Sequence, residues 1–226
     1  MKKTLLITVS MLLLLVVSIP NVKAQEWSTG LDIYSSYLWR GAKFGTGAAF
    51  QPGVEFSAGG FAIGAWGSYS TGSEEAAEAD LYMGYGFDLG ENASLSLTLT
   101  DYYFPGSDWT EGESHYFEPM VSLGVGAFTF TAAYMEGLGE DDPAIEGSNT
   151  TSDMYLEAAV SAGPVDIALG GGDGQYTDDG DFSICNIMVG TSKEVQISES
   201  FTLPVSGAVM LNPSTGGFHI AVGISL

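Results

Sequence analysis

Apolar residues recur at every second position through most of this 226-residue chain. The segment SLSLTLT (residues 94–100) alternates leucine with serine and threonine, and LYMGYGFD (81–88) alternates large apolar residues with glycine, tyrosine and aspartate. A period of two is that of a β-strand, whose successive side chains point to opposite faces. Because no sustained helical period follows residue 25, the pattern predicts an all-β fold.

The second face of these strands favours a membrane barrel over a soluble sandwich. In a soluble sandwich the solvent face is typically rich in Lys, Glu and Arg. Here it holds mostly Gly, Ser, Thr, Ala and Tyr, which suits a barrel whose apolar face contacts lipid and whose lumen holds small and polar groups. A soluble periplasmic sandwich is the alternative fold.

Short and long connections between the strands alternate along the chain. The short ones are at 57–60, 89–93, 124–127, 162–164 and 195–200. The long ones are at 41–48, 70–78, 104–115, 136–152 and 171–181, and a shorter connection at 213–216 closes the second series. Outer-membrane barrels have short periplasmic turns and longer extracellular loops. The alternation therefore predicts a transmembrane up-and-down antiparallel β-barrel of about 12 strands with both termini periplasmic, or of ten strands if one hairpin is misread.

The N-terminus has the features of a secretory signal peptide. Lys2 and Lys3 precede an apolar stretch, and Val22-Lys23-Ala24 resembles a cleavage site. We therefore expect a signal peptide at 1–24, a single barrel domain at 25–226 and a location in the bacterial outer membrane. The alternating residues 218–226 are expected to pair with the first strand and to be recognised by the barrel assembly machinery, although Leu226 stands where such substrates usually end in Phe.

The charge of the chain restricts its partners. The formal net charge is −22, and cleavage after residue 24 would remove three of the 6 cationic residues and none of the 28 acidic ones. Such a surface repels nucleic acid and attracts cations. The expected partners are therefore outer-membrane lipid, lipopolysaccharide and small cationic or polar solutes, with no cofactor. The single Cys185 excludes an internal disulfide and, by strand parity with Ile187 and Val189, is predicted to face lipid.

Four segments resemble a known family. YSSYLWRG, GFAIGAWGSYS, EADLYMGYGF and LTDYYFPGS occur in this order, most strongly between Tyr34 and Gly106. They are similar to the TorF-like porin family (Gcw_chp), a group of bacterial proteins of unknown function. The resemblance implies an outer-membrane barrel with a channel role, and it carries over no functional residues.

If the apolar faces contact lipid, a set of charged residues faces the lumen. These predicted pore-lining residues are Asp32, Arg40, Glu55, Asp80, Glu118, Glu157 and Asp166. Carboxylates within low-dielectric walls favour cations. Arg40, the single arginine of the chain, is expected to pair with one or more of these acids and to prop a constriction open or shut. The alternative is a salt-bridge network that plugs a narrow barrel.

Acidic clusters in the long connections suggest a second kind of site. The densest cluster is Asp173, Asp178, Asp179 and Asp181. Calcium takes six to eight oxygen ligands, but the spacing matches no EF-hand loop. We expect solvated extracellular loops, with weak divalent-ion association as the alternative and no dedicated metal site.

Three functions are compatible with these patterns. The first is a narrow cation-preferring channel for small polar solutes, and the second is a closed structural or adhesin-like barrel with acidic surface loops. The third is a lipid hydrolase that would use Glu118, Ser122 and His219. His115 is predicted to lie in a loop. Because no nucleophile and base occur at a recognisable spacing, no catalytic residue is assigned.

Overall fold

The computed structural model describes residues 25–72, 76–106, 108–138 and 152–226. The predicted signal peptide and most of the acidic connection at 139–151 lie outside these ranges. The strands are β1 (Gln25–Tyr34), β2 (Tyr37–Trp39), β3 (Ala42–Phe44), β4 (Ala49–Ala58), β5 (Phe61–Ser70), β6 (Ala77–Asp88), β7 (Ala93–Tyr103), β8 (His115–Val125), β9 (Phe128–Gly137), β10 (Ser152–Ala162), β11 (Val165–Gly172), β12 (Ser183–Ser198), β13 (Phe201–Asn212) and β14 (Gly217–Ser225). Two short 3₁₀ turns, Gly112–Ser114 and Gly174–Tyr176, complete the described structure.

Twelve of the strands form one closed antiparallel barrel. Each strand from β4 to β14 pairs with its neighbours in sequence, and β1 closes the sheet by pairing with β4 and β14. The predicted up-and-down barrel of 12 strands is confirmed, and the sandwich alternative is wrong because a single sheet closes on itself. Within the described residues, no helix is long and apolar enough to cross a membrane.

Strand register aligns the apolar positions on the outside of the barrel. Leu97 lies opposite Val121, and their side chains are 42% and 43% exposed. Val209 lies opposite both Val189 and Ile220, and these three are also exposed. Because the pleat alternates, the opposite face of each strand points into the barrel, where the buried side chains are found. The barrel has an apolar outer face and its packed core in the lumen.

Glycines on the inner face make room for tyrosine rings. A Cβ added at Gly64 would overlap the hydroxyl of Tyr82, and one added at Gly170 would overlap that of Tyr155. Glycine in a strand often marks a close approach of another group. The alternation of glycine and tyrosine on the second face is therefore a packing pattern that fills the lumen.

The first long connection folds differently from the prediction. The sequence predicts a continuous strand through Trp39 and a loop at 41–48, whereas β1 ends at Tyr34. After Ser35 and Ser36 the chain forms the separate two-stranded hairpin β2–β3. The Ser35 amide still donates to the carbonyl of Val222, which holds the start of this segment against β14.

The predicted lipid-facing position of Cys185 is wrong. Cys185 is fully buried and packs inside the barrel with Tyr155 and Tyr176. The register between β11 and β12 shifts at this point, because Gly170 pairs with Asn186 while Gly171 pairs with Ile184. This β-bulge adds one residue to β12 and reverses its parity, so that Cys185 and the following residue both point inward.

Substitution of Gly170 tests the glycine–tyrosine packing. We expect Gly170→Ala to lower the free energy of unfolding by about 1–3 kcal/mol, the usual cost of overpacking. The reason is that Tyr155 would have to move away from its partners Glu157 and Asn186. Gly190→Ala is the matched control, because an added Cβ there makes ordinary contacts. Urea unfolding followed by tryptophan fluorescence measures both, and equal effects would contradict this packing role.

Candidate functional site

The hairpin β2–β3 lies inside the barrel and turns at Arg40 and Gly41. Both residues have positive φ, 46° and 89°, as the type I′ turn of a two-residue hairpin requires. A Cβ added at Gly41 would overlap the backbone carbonyl of Cys185, so glycine lets the tip approach β12 on the other side of the lumen. Arginine with positive φ is strained by about 1–3 kcal/mol and persists only where surrounding contacts hold it.

The Arg40 guanidinium is held by Glu118 of β8. Its Nη1 forms an ion pair with Oε2 of Glu118, and its Nη2 donates to Oε1 at 2.9 Å. Glu118 is 1% exposed and also accepts a hydrogen bond from the Tyr102 hydroxyl at 3.2 Å. A bidentate arginine–carboxylate pair gives directional as well as electrostatic stabilisation. The tip of the hairpin is therefore fastened to the opposite wall.

Aromatic rings enclose the same guanidinium. The Arg40 carbon Cζ lies 4.6 Å from the ring centroid of Trp39 and 4.5 Å from that of Tyr155. The Tyr176 hydroxyl accepts a hydrogen bond from Nη1 at 2.8 Å. Arginine is not deprotonated in proteins, and the carboxylate of Glu118 stabilises its charge here. The guanidinium therefore stays charged inside the barrel.

Tyr176 reaches Arg40 because its connection also folds inward. The 3₁₀ turn Gly174–Tyr176 follows β11, and the side-chain amide of Asn212 donates to the carbonyl of Tyr176 at 3.1 Å. The Asn212 Oδ1 accepts from the backbone of Ser214 and Thr215. One asparagine thus connects the turn after β13 to the turn after β11.

One space in the lumen, which we call the inner cavity, has a volume of about 570 Å³. It extends from the hairpin toward the barrel end that carries the short turns. Its lining includes the carboxylates of Glu55, Glu78 and Asp80 and the rings of Tyr37, Trp39, Trp66, Tyr82 and Tyr102. None of the described residues that line it is Lys, Arg or His.

Two of these carboxylates receive phenol hydrogen bonds. Tyr37 donates to Oε1 of Glu78 at 3.1 Å, and Tyr82 donates to Oε2 of Glu55 at 2.9 Å. Burial, and then the charge of Glu78, raise the pKa of Tyr37. Tyr37 therefore remains a hydrogen-bond donor. The third carboxylate, that of Asp80, is hydrogen-bonded to Glu78 and to the backbone of Tyr103, and its buried Oδ1 has no partner.

Two smaller spaces lie on the long-loop side of the hairpin. One, of about 350 Å³, is lined by Lys43, Asn212 and His219 among others, and the second, of about 190 Å³, by Phe44 and Phe104 among others. The hairpin contributes residues to the lining of both and to the inner cavity. It therefore divides the lumen.

The remaining predicted pore-lining residues are spread over different parts of the barrel. Asp32 is half-buried at a strand position paired with Gln51. Glu157 accepts hydrogen bonds from Tyr155 at 2.5 Å and Asn186 at 3.1 Å. Asp166 is exposed beside the short turn between β10 and β11 and accepts from Ser161. The structure thus brings Glu55 and Asp80 to one cavity and Arg40 and Glu118 to one ion pair.

The residues of the acidic cluster after β11 make hydrogen bonds that involve backbone amides. Asp173 Oδ1 accepts from the Met154 amide at 2.6 Å, and Asp179 Oδ1 accepts from the Asp181 amide at 3.1 Å. The amide of Asp178 donates to Ser214. Among the described residues, no three acidic, His or Cys side chains converge in a way that could hold a metal ion. Weak divalent-ion association there stays a prediction.

Two of the three residues of the hydrolase alternative, and His115, have other partners. The hydroxyl of Ser122 pairs with Thr131 at 2.9 Å, and Glu118 is held by Arg40. His115 begins β8 and does not lie in a loop, and its ring contacts Asp101 at 2.8 Å and the Trp109 carbonyl at 2.7 Å. Both ring nitrogens are therefore engaged in fixing the connection before β8.

Sequence reasoning missed several lumen residues. The connection lengths place Glu78 at the end of the loop 70–78, whereas Glu78 lies in β6 and its two-residue spacing from Asp80 puts both on one face. The signal for the inward hairpin is the aromatic pair Tyr37 and Trp39 before Arg40-Gly41, which is a weak signal because Asn-Gly and Asp-Gly are the usual turn pairs. The sequence carries no signal that Tyr176, a lone aromatic in an acidic connection, folds inward.

Removal of Arg40 tests whether the ion pair holds the hairpin in place. We expect Arg40→Met to lower the free energy of unfolding by about 3–5 kcal/mol, because Glu118 would be left buried without a counter-charge. The double variant Arg40→Met/Glu118→Leu should recover part of this loss. Lys43→Met, on the same hairpin but with an exposed side chain, is the control. If Arg40→Met unfolds in urea like Lys43→Met, the pair does not hold the hairpin.

Comparison with known proteins gives a set of similar solved structures and a family. The solved structures that are similar include a double variant of OccD1 (OprD), with a TM-score of 0.40, 11% identity and coverage of 90% of this chain and 65% of that one. OprD of Pseudomonas aeruginosa matches in one structure with a TM-score of 0.39, 11% identity and 90% and 66% coverage. In another, described as an outer membrane protein, it matches with a TM-score of 0.37, 13% identity and 87% and 63% coverage.

This chain thus spans about two thirds of the length of these solved proteins. No curated protein matches the sequence. A family model described as "Bacterial protein of unknown function (Gcw_chp)" matches residues 22–194, well over half of the chain. The chain therefore belongs to the Gcw_chp family.

Proposed function

We propose that this protein is an outer-membrane β-barrel that forms a narrow, cation-preferring channel for small polar solutes. The short turns would face the periplasm and the long connections the outside. One observation carries the proposal: a closed barrel presents apolar side chains outward and buries carboxylates inside.

The apolar outer face supports insertion in a bilayer. Exposed apolar side chains of neighbouring strands lie in register, as at Leu97 and Val121, and the pattern continues around the barrel. Soluble monomers rarely expose contiguous apolar patches larger than a few hundred Å². A closed barrel also leaves no sheet edge, which is a condition for spanning lipid with strands.

The inner cavity supports a preference for cations. Glu55, Glu78 and Asp80 line it, and no basic side chain does among the described lining residues. Arg40 forms an ion pair with Glu118, so the charge of Arg40 contributes less to the electrostatic potential of the cavity. Low-dielectric walls focus the field of the carboxylates and raise the local concentration of cations.

The hairpin β2–β3 would act as the constriction of this channel. Its tip crosses the lumen and is held by contacts with β8, β10 and β12. Passage of a solute would then depend on the space beside Trp39 and Tyr102, which line both the inner cavity and a space on the long-loop side.

A closed structural or adhesin-like barrel is the second candidate function. The observation that favours it is the same hairpin, because Arg40, Glu118 and Tyr176 fill the lumen at its tip. Electrical conductance separates this candidate from the channel.

Arginine substitutions at two positions, one in mid-strand and one in a short turn, test the membrane orientation. Leu97 lies in the middle of β7, whereas Leu89 lies just beyond the end of β6 in a short turn. In lipid vesicles we expect Leu97→Arg to cost about 2–4 kcal/mol of unfolding free energy and Leu89→Arg about 0–1 kcal/mol, because the cost of a charge depends on depth. Equal costs, measured by urea unfolding in vesicles, would contradict the membrane orientation.

Planar-bilayer recording under a KCl gradient tests the channel. We expect discrete current steps with a cation-selective reversal potential, and a larger step size in Arg40→Ala because the hairpin would be released. Lys193→Ala removes a charge from an exposed strand position and should match the wild type. A folded barrel that passes no current, in the wild type and in Arg40→Ala, would favour the closed structural barrel.

A further inference from the structure

We propose that the inner cavity binds a small organic cation with N–H donors, an aliphatic ammonium or guanidinium compound. The inference rests on the proposed channel function and names the class of solute that the channel would select. It depends on the carboxylates of the cavity, on their aromatic surroundings and on one acceptor atom.

Two carboxylates lie side by side in the wall of the cavity without a basic partner. Glu78 and Asp80 are on the same face of β6 and are 5% and 6% exposed. Tyr37 donates a hydrogen bond to Glu78, the side chains of Glu78 and Asp80 are hydrogen-bonded to each other, and the buried Oδ1 of Asp80 has no partner. Burying two acidic groups together is unfavourable unless a cation or a proton offsets their charge. Their charge is offset either by a proton that the two carboxyl groups share or by a bound positively charged group that donates hydrogen bonds.

The rings around these carboxylates suit an organic cation. Tyr37 and Trp66 contact each other with ring centroids 5.6 Å apart, and Asp80 pairs across the sheet with both Trp66 and Tyr102. Aromatic faces attract ammonium and guanidinium groups, most strongly where water is excluded. The volume of about 570 Å³ is within the usual range of small-molecule sites, about 300–1,000 Å³.

The chain itself binds a cation with the same combination of groups. The guanidinium of Arg40 lies between the rings of Trp39 and Tyr155 and pairs with a buried carboxylate. The inner cavity has rings and buried carboxylates too, and it shares Trp39 with the Arg40 contacts. The cavity therefore offers a ligand the same groups, aromatic rings and buried carboxylates, that surround the guanidinium of Arg40.

Two features point to a ligand with N–H groups and away from a metal ion or a quaternary ammonium. Among the described residues, no group of three acidic, His or Cys side chains could hold a metal ion. A quaternary ammonium has no N–H to give to the carboxylates that line the cavity. Glu55 offers another carboxylate two strands away from Asp80. A diamine can approach both.

Calorimetric titration of the refolded barrel with three probes tests the site. The probes are 1,5-diaminopentane, tetramethylammonium and the uncharged 1,5-pentanediol. We expect diaminopentane to bind most tightly, and Asp80→Asn to weaken it by about tenfold or more, the effect of losing one charge-assisted hydrogen bond. Asp88→Asn makes the same charge change at an exposed position of the same strand and should leave binding unchanged.

Several results would overturn the site. These are equal binding of the three probes, no binding of diaminopentane, and equal effects of Asp80→Asn and Asp88→Asn. The absence of amine binding in a folded barrel would mean that a shared proton offsets the carboxylates. The comparison of probes uses the wild type, so it stands even if a variant fails to fold, and Glu78→Gln is then the second variant.

Bilayer recording separates this site from the channel function. If diaminopentane blocks the current at a lower concentration than tetramethylammonium does, the result supports both the site and the channel. A barrel that binds diaminopentane and passes no current keeps the site and rejects the channel. A barrel that passes cation-selective current and binds no amine keeps the channel and rejects the site.

Discussion

Closure of the sheet by β1 is the constraint on which the rest of the structure depends. This strand pairs with β4 over its whole length and with β14 near its end, so the sheet closes on itself. Once the sheet is closed, every strand has one face outside and one inside, and the period-two sequence divides into an apolar surface and a lumen of small and polar groups. The hairpin and the cavities occupy the space that closure creates.

Inside the barrel, the ion pair of Arg40 and Glu118 organises the lumen. It joins residues 78 positions apart in sequence and draws the aromatic rings of three segments around one guanidinium. The positive φ of Arg40 fits this view, because a strained backbone persists where several contacts determine it. Gly41 completes the arrangement by letting the tip approach the backbone of Cys185.

Buried acidic groups in the lumen occur in two different surroundings. Glu118 is neutralised by a side chain of the protein, with full hydrogen bonding. Glu78 and Asp80 lie in a similar aromatic environment with phenol donors and no basic side chain among the described residues that line the cavity. The pairing of Glu118 with Arg40 holds the hairpin in place as a constriction. The carboxylates of Glu78 and Asp80 leave an acidic cavity beside the hairpin, which favours cations.

The sequence by itself determined the all-β class, a strand number of about twelve or ten, and the side of the sheet on which most residues lie, because alternation and turn residues are local properties of the chain. It also placed Asp80 and Glu118 on the inner face. Only the tertiary structure decided that the first connection folds inward and that Tyr176 joins it, since both depend on contacts between distant segments. The bulge at Cys185 likewise reverses parity within one strand, and the period of two cannot foresee it because it assumes an unbroken register.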